Sequence, residues 1–406
     1  MAKNSNLHNA KVAKNDDFFT QLSDIENELQ HYWSHGVNHF EGKSVLMNCD
    51  NPKFSNFWVY FHKNFNKLKL TRIGAIHYST SEPAYYKEYT GGDDFDITVG
   101  NETLLSGNGD FRSEECIEIL KGYDMVVTNP PFSLYREFVA QLVKYNKQYI
   151  IWANNNSITY KEIFSLIKEN KMWLGVTCNK TLVFGLSDDY AKFDEKETNK
   201  RDDGHKYGKV PAISVFTNID IERRHDYMVL SKEYTPEAYP KYDNYDAINV
   251  DKVNDIPMDY FECFIIPDSY LPNLDDTFTI YEDAYEMFEA LKNDEVSTEH
   301  YLLHKDNQLY IPVDNEVQYI RYLLITAGID ANDIQVRNGE IGVPLTFLGK
   351  LCSEQFEIAG ADYELAAPMD LGNGKHGTGR FYVKRERESL RLYSRIVIKR
   401  ITRKIF

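Results

Sequence analysis

Apolar and polar positions alternate in short blocks along the first 170 residues, and the block lengths predict strand and helix in turn. Ser44–Asn48, Ile73–Tyr78, Tyr123–Thr128 and Gln148–Ala153 are short, almost unbroken apolar runs that read as buried strands. Between and after them, apolar residues recur every three or four positions, which predicts helices over Ser55–Leu68, Ser113–Lys121, Tyr135–Tyr145 and Tyr160–Asn170. Upstream, the chain from Ser23 reads as helical. Ser23 and Glu26 are spaced as a capping box, and Ile25, Leu29, Tyr32 and Trp33 form one stripe. The Gly/Asp-rich stretch 91–109 reads as loop or hairpin. This βαβα cadence predicts an α/β fold with a doubly wound, mostly parallel sheet. Ligands of such sheets lie beyond the carboxyl ends of the strands, so the loops there are the first place to look for chemistry.

The pattern changes further along. Residues 186–209 are highly charged with little apolar content and read as a mobile loop; Ala212–Asn218 then reads as a strand. Within 263–340, helical spacing at Glu282–Lys292 and Asn315–Thr326 flanks a strand-like Gln308–Val313, as in a small α/β insert. The expected organisation is a flexible arm at 1–15, a catalytic domain at 16–230 and a C-terminal α+β region at 231–406, interrupted by 263–340.

Composition fits a folded protein of two or three domains: 406 residues, 42% hydrophobic and 27% charged. No apolar run approaches the roughly 18–20 residues that span a bilayer, and the first residues lack the apolar stretch of a secretion signal. The cysteines (Cys49, Cys116, Cys178, Cys263, Cys352) are too scattered for a disulfide framework or a C-x-x-C half-site, which points to a reducing cytoplasm. The histidines show no ligand spacing, so no metal is expected. Net charge is −16, yet 263–340 alone carries −12, while 379–406 carries +8. One acidic segment thus masks a nearly neutral chain with a basic end.

The chemistry-bearing signal is Thr128-Asn129-Pro130-Pro131-Phe132, directly after a predicted strand. A Pro-Pro turn closing a strand is the plain reading. The functional one concerns an exocyclic amine, a poor nucleophile because its lone pair is delocalised into the ring. Acceptors on the Asn129 side chain and the Pro130 carbonyl can hold its two hydrogens and draw the nitrogen toward tetrahedral geometry. Phe132 can stack on the ring. A base in duplex must first be flipped out.

Asn-Pro-Pro-Phe is the signature of amino-methyltransferases that use S-adenosylmethionine, and the chain as a whole resembles the EcoRI-type DNA adenine-N6 methyltransferase family. The matching pieces include Asp17-Phe-Phe-Thr-Gln, Asp24-Ile-Glu-Asn-Glu-Leu, Asn48-Cys-Asp-Asn-Pro-Lys-Phe-Ser-Asn-Phe, Gly109-Asp-Phe-Arg-Ser, Asn129-Pro-Pro-Phe-Ser, Trp173-Leu-Gly and Phe216-Thr-Asn. Later ones are Tyr242-Asp-Asn-Tyr-Asp-Ala-Ile-Asn-Val, Gly342-Val-Pro-Leu-Thr-Phe-Leu, Gln355-Phe-Glu-Ile and Leu392-Tyr-Ser-Arg-Ile. They run through nearly the whole chain in order, except 263–340. The resemblance implies a Rossmann-like methyltransferase sheet, with Asn129, Pro130, Pro131 and Phe132 catalytic. It also implies S-adenosylmethionine as cofactor and double-stranded DNA as partner, in a restriction-modification setting.

Cofactor positions carry over residue by residue. Phe19 and Thr20 match the element that grips the methionine part. The loop 48–56 replaces the usual glycine-rich loop, with Asp50 and Pro52 as candidates. Tyr78 stands where an acid usually meets the ribose, as a packing partner for the adenine. Asp110 and Phe111 match the loop that receives the adenine amine, and Asn129 adjoins the methyl donor. For Asp110, a second reading stays open: capping the helix that begins near Ser113.

Recognition is expected in the C-terminal half, with Lys375, Arg380, Lys384, Arg385, Arg395 and Lys399 as DNA-binding candidates. The loop 186–209 is a further candidate, to be ordered on DNA. The acidic segment repels phosphate and either supports the fold or binds a protein partner. A monomer is expected, since a lone methyltransferase acts on one strand at a time. Two alternatives remain at this point: methylation of another amine (cytosine N4, RNA or protein glutamine), and a catalytically silent DNA-binding scaffold.

Overall fold

The computed structural model describes residues 18–34, 36–186, 198–200, 206–274, 278–296, 300–313, 316–371, 376–385 and 388–402. The arm at 1–15, Lys375 and most of 186–209 lie outside them. The chain forms two compact units, Met1–Arg223 and Arg224–Phe406.

The first unit runs β1 (Phe18–Phe19), α1 (Leu22–Leu29), β2 (Ser44–Met47), α2 (Asn56–Lys63), α3 (Phe65–Leu68), β3 (Arg72–His77), β4 (Tyr85–Tyr89), β5 (Asn101–Leu104), α4 (Glu114–Lys121), β6 (Met125–Thr128), α5 (Tyr135–Lys144), β7 (Gln148–Asn154), α6 (Lys161–Lys168), β8 (Trp173–Leu174), β9 (Lys180–Leu186), β10 (Thr198–Lys200) and β11 (Lys206–Thr217). One mixed sheet holds all these strands, ordered β1-β9-β11-β7-β6-β2-β3-β4-β5, with β8 and β10 also paired to β11. The central run β7-β6-β2-β3 is parallel, and both flanks are antiparallel. Fully buried parallel strands need apolar residues on both faces, which is why these read as unbroken apolar runs. Val45, Met47, Ile73, Ala75, Met125, Val127, Ile150 and Trp152 point into one core with Ile25 and Leu29 of α1 and Phe57, Trp58 and Phe61 of α2. The alternate residues meet the other layer, where Tyr135 of α5 packs on Phe216 of β11 with ring centroids 5.5 Å apart. From β2 the chain moves to β3 on one side and returns to β6 on the other. The β2/β6 seam is therefore the topological switch point.

Several expectations need correction. α1 begins at Leu22 with Gln21 as N-cap and no side-chain cap. The Ser23–Glu26 box does not form, because Leu22 packs on the core and the Asp24 and Ile25 amides donate to the Gln21 carbonyl. The helix expected over 55–68 is two helices, broken at Asn64, whose side chain donates to the Tyr60 carbonyl at 2.8 Å. β4 was hidden because a lysine occupies one of its buried positions: Lys87 is 6% exposed, with its Nζ on the Thr98 carbonyl at 2.7 Å. The charged stretch 186–209 is not all loop, since 198–200 and 206–209 are strand and Lys206 pairs with Leu186. Composition misled there because a long-range ladder, not local apolar content, decides the conformation.

In the second unit the chain runs β12 (Lys241–Tyr242), β13 (Tyr245–Asn249), β14 (Glu262–Pro267), β15 (Phe278–Tyr281), α7 (Ala284–Lys292), β16 (His300–Lys305), β17 (Gln308–Pro312), α8 (Val317–Thr326), β18 (Gln335–Asn338), β19 (Glu340–Pro344), β20 (Phe356–Ala361), α9 (Asp362–Leu365), β21 (Met369–Asp370), β22 (His376–Gly377), β23 (Tyr382–Arg385), β24 (Glu388–Arg391) and β25 (Arg395–Arg400). One sheet is ordered β12-β13-β19-β25-β20 and another β15-β16-β17-β14-β18; β21-β22 and β23-β24 are separate ribbons. β13 and β19 are parallel neighbours, Ile248 opposite Ile341. The acidic stretch between them builds the second sheet. Cys263 and Leu303 face Met287, Phe288 and Leu291 of α7, while Phe264, Leu302 and Ile311 face Ile320 and Leu324 of α8. It is an α/β/α sandwich. No helix among the described residues is long and apolar enough to cross a membrane.

Candidate active site

The carboxyl ends of β6, β2 and β3 lie side by side, and each leads into a loop that the sequence singles out. β6 is buried throughout and ends at Thr128. Asn129 follows half-buried, Pro130 buried, and Pro131 and Phe132 half-buried. The Leu134 amide donates to the Pro131 carbonyl at 3.0 Å, closing the turn into α5. Phe132 packs against the edge of the main core.

The loop after β2 is tied on both sides. Asp50 Oδ1 accepts from the Ser55 hydroxyl at 2.9 Å, and its Oδ2 accepts from the Thr128 hydroxyl. Ser55 is also the N-cap of α2, accepting from the Phe57 amide at 3.1 Å and the Trp58 amide at 3.4 Å. The next residue, Asn56, donates to the Thr20 carbonyl at 2.7 Å. Asn51 accepts from the Tyr85 hydroxyl at 3.0 Å. Pro52 is buried. Phe19 pairs with Gly185 on β9 and meets Phe54 edge-on, centroids 6.5 Å apart. Phe19, Thr20, Asp50 and Pro52 are thereby gathered with the Asn129 turn around the switch point.

Thr20 and Asn48 are each 3% exposed, and neither the Thr20 hydroxyl nor the Asn48 Oδ1 has a hydrogen-bond partner within the chain. A buried polar atom left so costs about 1–3 kcal/mol, a penalty that an incoming polar group removes. The sequence places Asn48 and Ser55 in the loop 48–56 and Thr128 at the head of the Asn-Pro-Pro-Phe motif, but gives none of the three a role of its own. The available signal was a polar residue closing an apolar strand, and it is a weak one.

The third loop lies against the end of β3. Gly109 has φ +79°, and a Cβ there would sit 2.5 Å from the His77 carbonyl, so only glycine permits this approach. The Ser79 amide donates to the Asn108 carbonyl at 3.0 Å, fastening the two segments. Tyr78 is 38% exposed at this end. Burial lowers the His77 pKa below its usual value, which keeps the ring neutral near pH 7. Asp110 takes the Arg112 guanidinium in a fork, at 2.9 and 2.7 Å, and Arg112 reaches Glu137 at 3.0 Å. The helix-cap reading of Asp110 is corrected: Ser113 caps α4 through the Cys116 amide. Phe111 is buried, edge-on to Phe138 at 5.1 Å, with its carbonyl held by Gln141 at 2.9 Å.

In the second unit, the proposed DNA-binding residues divide. Lys384 is exposed on β23. Arg380 pairs with Asp362 at 3.1 Å. Arg395 is 7% exposed and pairs with Asp251 at 3.2 Å, and Lys399 pairs with Glu262 at 3.0 Å. These last cations lie where β25 runs through the sheet and are occupied by neighbouring acids. The Arg385 side chain lies outside the described part.

Comparison with known proteins adds an independent line. Residues 6–327 match the family model described as adenine-specific methyltransferase EcoRI. The Type II methyltransferase M.EcoRI of Escherichia coli is 43% identical over 284 residues, 66% of this chain and 86% of that protein. The Type II methyltransferases M.MgeORF184P of Mycoplasma genitalium and M.MpnI of Mycoplasma pneumoniae are each 38% identical over 268 residues, 65% of this chain and 81% of theirs. No solved structure matches.

Proposed function

The chain belongs to the adenine-specific EcoRI methyltransferase family and is a DNA adenine methyltransferase; from that premise we propose that it uses S-adenosylmethionine to methylate N6 of an adenine flipped from duplex DNA. The observation that carries this reading is the Asn129-Pro-Pro-Phe turn at the β2/β6 switch point, beside orphaned buried oxygens on two segments, Thr20 after β1 and Asn48 after β2. Those oxygens suit the polar amino-acid and ribose groups of the cofactor, with Phe19, Asp50, Pro52, Tyr78, Asp110 and Phe111 around it. Bound there, the cofactor supplies an electrophilic methyl group.

The chain's own work is positioning. The Asn129 carboxamide and Pro130 carbonyl accept the two amine hydrogens of the base and draw its nitrogen toward tetrahedral geometry, which takes the lone pair out of conjugation with the ring. Pro130 has no N–H of its own to compete. Phe132 stacks on the ring, substituting for the base's lost neighbours in the duplex. No covalent intermediate with the protein is needed. Lys384, with Arg380, Arg385 and Lys375, supplies cations for the DNA backbone, and the acidic sandwich is kept clear of it by charge. A monomer suffices for one strand at a time.

The test is methyl transfer from labelled S-adenosylmethionine to unmodified genomic DNA, with nucleoside mass spectrometry. N6-methyladenine is the expected product, and Asn129→Ala should lose at least ~100-fold in turnover while still binding DNA. Label in cytosine, or undiminished turnover in that variant, overturns the assignment.

A further inference from the structure

The two strands of the switch point part company before they end. β2 and β6 pair at Val45–Met125 and Leu46–Val126, and their ladder stops there. On its other side β6 stays paired with β7 as far as Thr128, opposite Ile151. Among the described residues, Val127 and Thr128 thus have ladder partners on β7 only, on the side away from the crevice. Spanning the gap is a chain of side-chain bonds. The fully buried Thr128 hydroxyl donates to Asp50, Asp50 accepts from Ser55, and Ser55 caps α2.

We propose that Asp50 and Thr128 act as a positioning pair, which replaces the missing ladder and sets the backbone of the adjacent Asn129. This rests on the adenine-methyltransferase reading of that site. The geometry favours it in three ways. Both Asp50 oxygens are engaged by protein hydroxyls, so the carboxylate is held in one orientation. Thr128 is the residue directly before the proposed amine acceptor, so a shift there moves the Asn129 carboxamide and the Pro130 carbonyl together. The bond also couples two loops with different duties. Whatever orders 48–56 reaches the acceptors through Asp50, with no movement of the sheet required. Misplacement by a fraction of an ångström is expensive when catalysis is mostly orientation.

The opposite end of the same strand pair supplies the control. There the Ser44 hydroxyl donates to Asp124 at 2.7 Å, and the Ser44 amide donates to the same carboxylate at 2.8 Å. This clasp uses the same chemistry on the same two strands, remote from the acceptors.

The experiment compares Thr128→Val, Thr128→Ser and Ser44→Ala in the full chain. Turnover on duplex DNA, S-adenosylmethionine affinity by calorimetry and the thermal midpoint are measured for each. Thr128→Val should lose tenfold or more in kcat while cofactor affinity stays within about twofold, and Thr128→Ser should recover most of the loss. Ser44→Ala should lower the midpoint and leave kcat unchanged. The pair is not a positioning device if Thr128→Val turns over like the parent, if Thr128→Ser fails to rescue, or if Ser44→Ala lowers kcat equally. A proportional fall in cofactor affinity also overturns it, because the Asp50–Thr128 bond then supports the cofactor site and not the acceptors. Failure of the function reading looks different: the folded parent itself then gives no methyl transfer to DNA.

Discussion

Glu28 is wholly buried, a place where a carboxylate survives only with partners on each side. Its oxygens accept from the Val176 amide at 3.0 Å, the Thr177 amide at 2.6 Å and the Tyr32 hydroxyl at 3.1 Å. Burial, followed by the nearby carboxylate, pushes the Tyr32 hydroxyl well above its usual pKa, so it remains a donor. The arrangement demands glycine at 175, where a Cβ would fall 2.1 Å from the carboxylate and 3.0 Å from a Val215 methyl. Gly175→Ala is expected to destabilise the protein by about 2–4 kcal/mol, and Glu28→Ala by about 3, both read from urea midpoints. Wild-type midpoints in both would show that the loop simply moves aside. At this scale the sequence was legible where chemistry is local. Asn129 to Phe132 stand together in the chain, so their joint role can be read from the sequence. Helical spacing puts Glu28 on the Ile25–Leu29–Tyr32 stripe, but its partners at 176 and 177 are far away in sequence and nothing local names them.

Among the elements, β2, β3, β6 and β7 were readable because a strand buried on both faces must be apolar at every position. The strands beside them obey looser rules. β4 hides a lysine inside, and β11 carries Pro211 and the left-handed Ala212 (φ +58°) at a bulge, between a charged half and an apolar half. The seam between β2 and β6 also sets a pH response. Burial would raise the Asp124 pKa, but the Ser44 hydroxyl and amide, aided by Lys43 and Lys147, more than offset it and hold it below the usual carboxylate value. A carboxyl depressed on folding adds stability above its unfolded pKa and loses it as pH falls through the folded one. Ser44→Ala should therefore cost about 1 kcal/mol at neutral pH, less than the usual ~1.5–3 for a charged acceptor because Asp124 is solvent-exposed and keeps the Ser44 amide. The difference between variant and parent should shrink as pH drops below about 4, the unfolded Asp value. A gap that stays constant through the acid limb would assign the effect to packing instead.

For the molecule as a whole, net charge is a poor guide to partners. Its −16 is mostly the −12 of residues 263–340, which fold into a sandwich of their own. The basic tail is equally deceptive when read as a sum. Arg380, Arg395 and Lys399 are each held by an acid of the second unit, and a cation already neutralised releases few counterions on meeting phosphate. Sequence could show that these cations cluster, but only the fold of the second unit reveals which of them face neighbouring acids. DNA affinity should accordingly fall with salt less steeply than the tail's +8 suggests. Lys384, exposed on β23, should matter differently from Lys399. Lys384→Ala is expected to weaken binding to all duplex sequences alike and to reduce the slope of log affinity against log salt by about 1. Lys399→Ala should leave that slope unchanged but lower stability, because it leaves Glu262 and Glu340 without their shared cation. Fluorescence anisotropy over a salt series, alongside thermal melts, separates the two. If Lys399→Ala changes the slope and Lys384→Ala does not, the DNA-facing side of the second unit is the face of β25 and not the ribbon that carries Lys384.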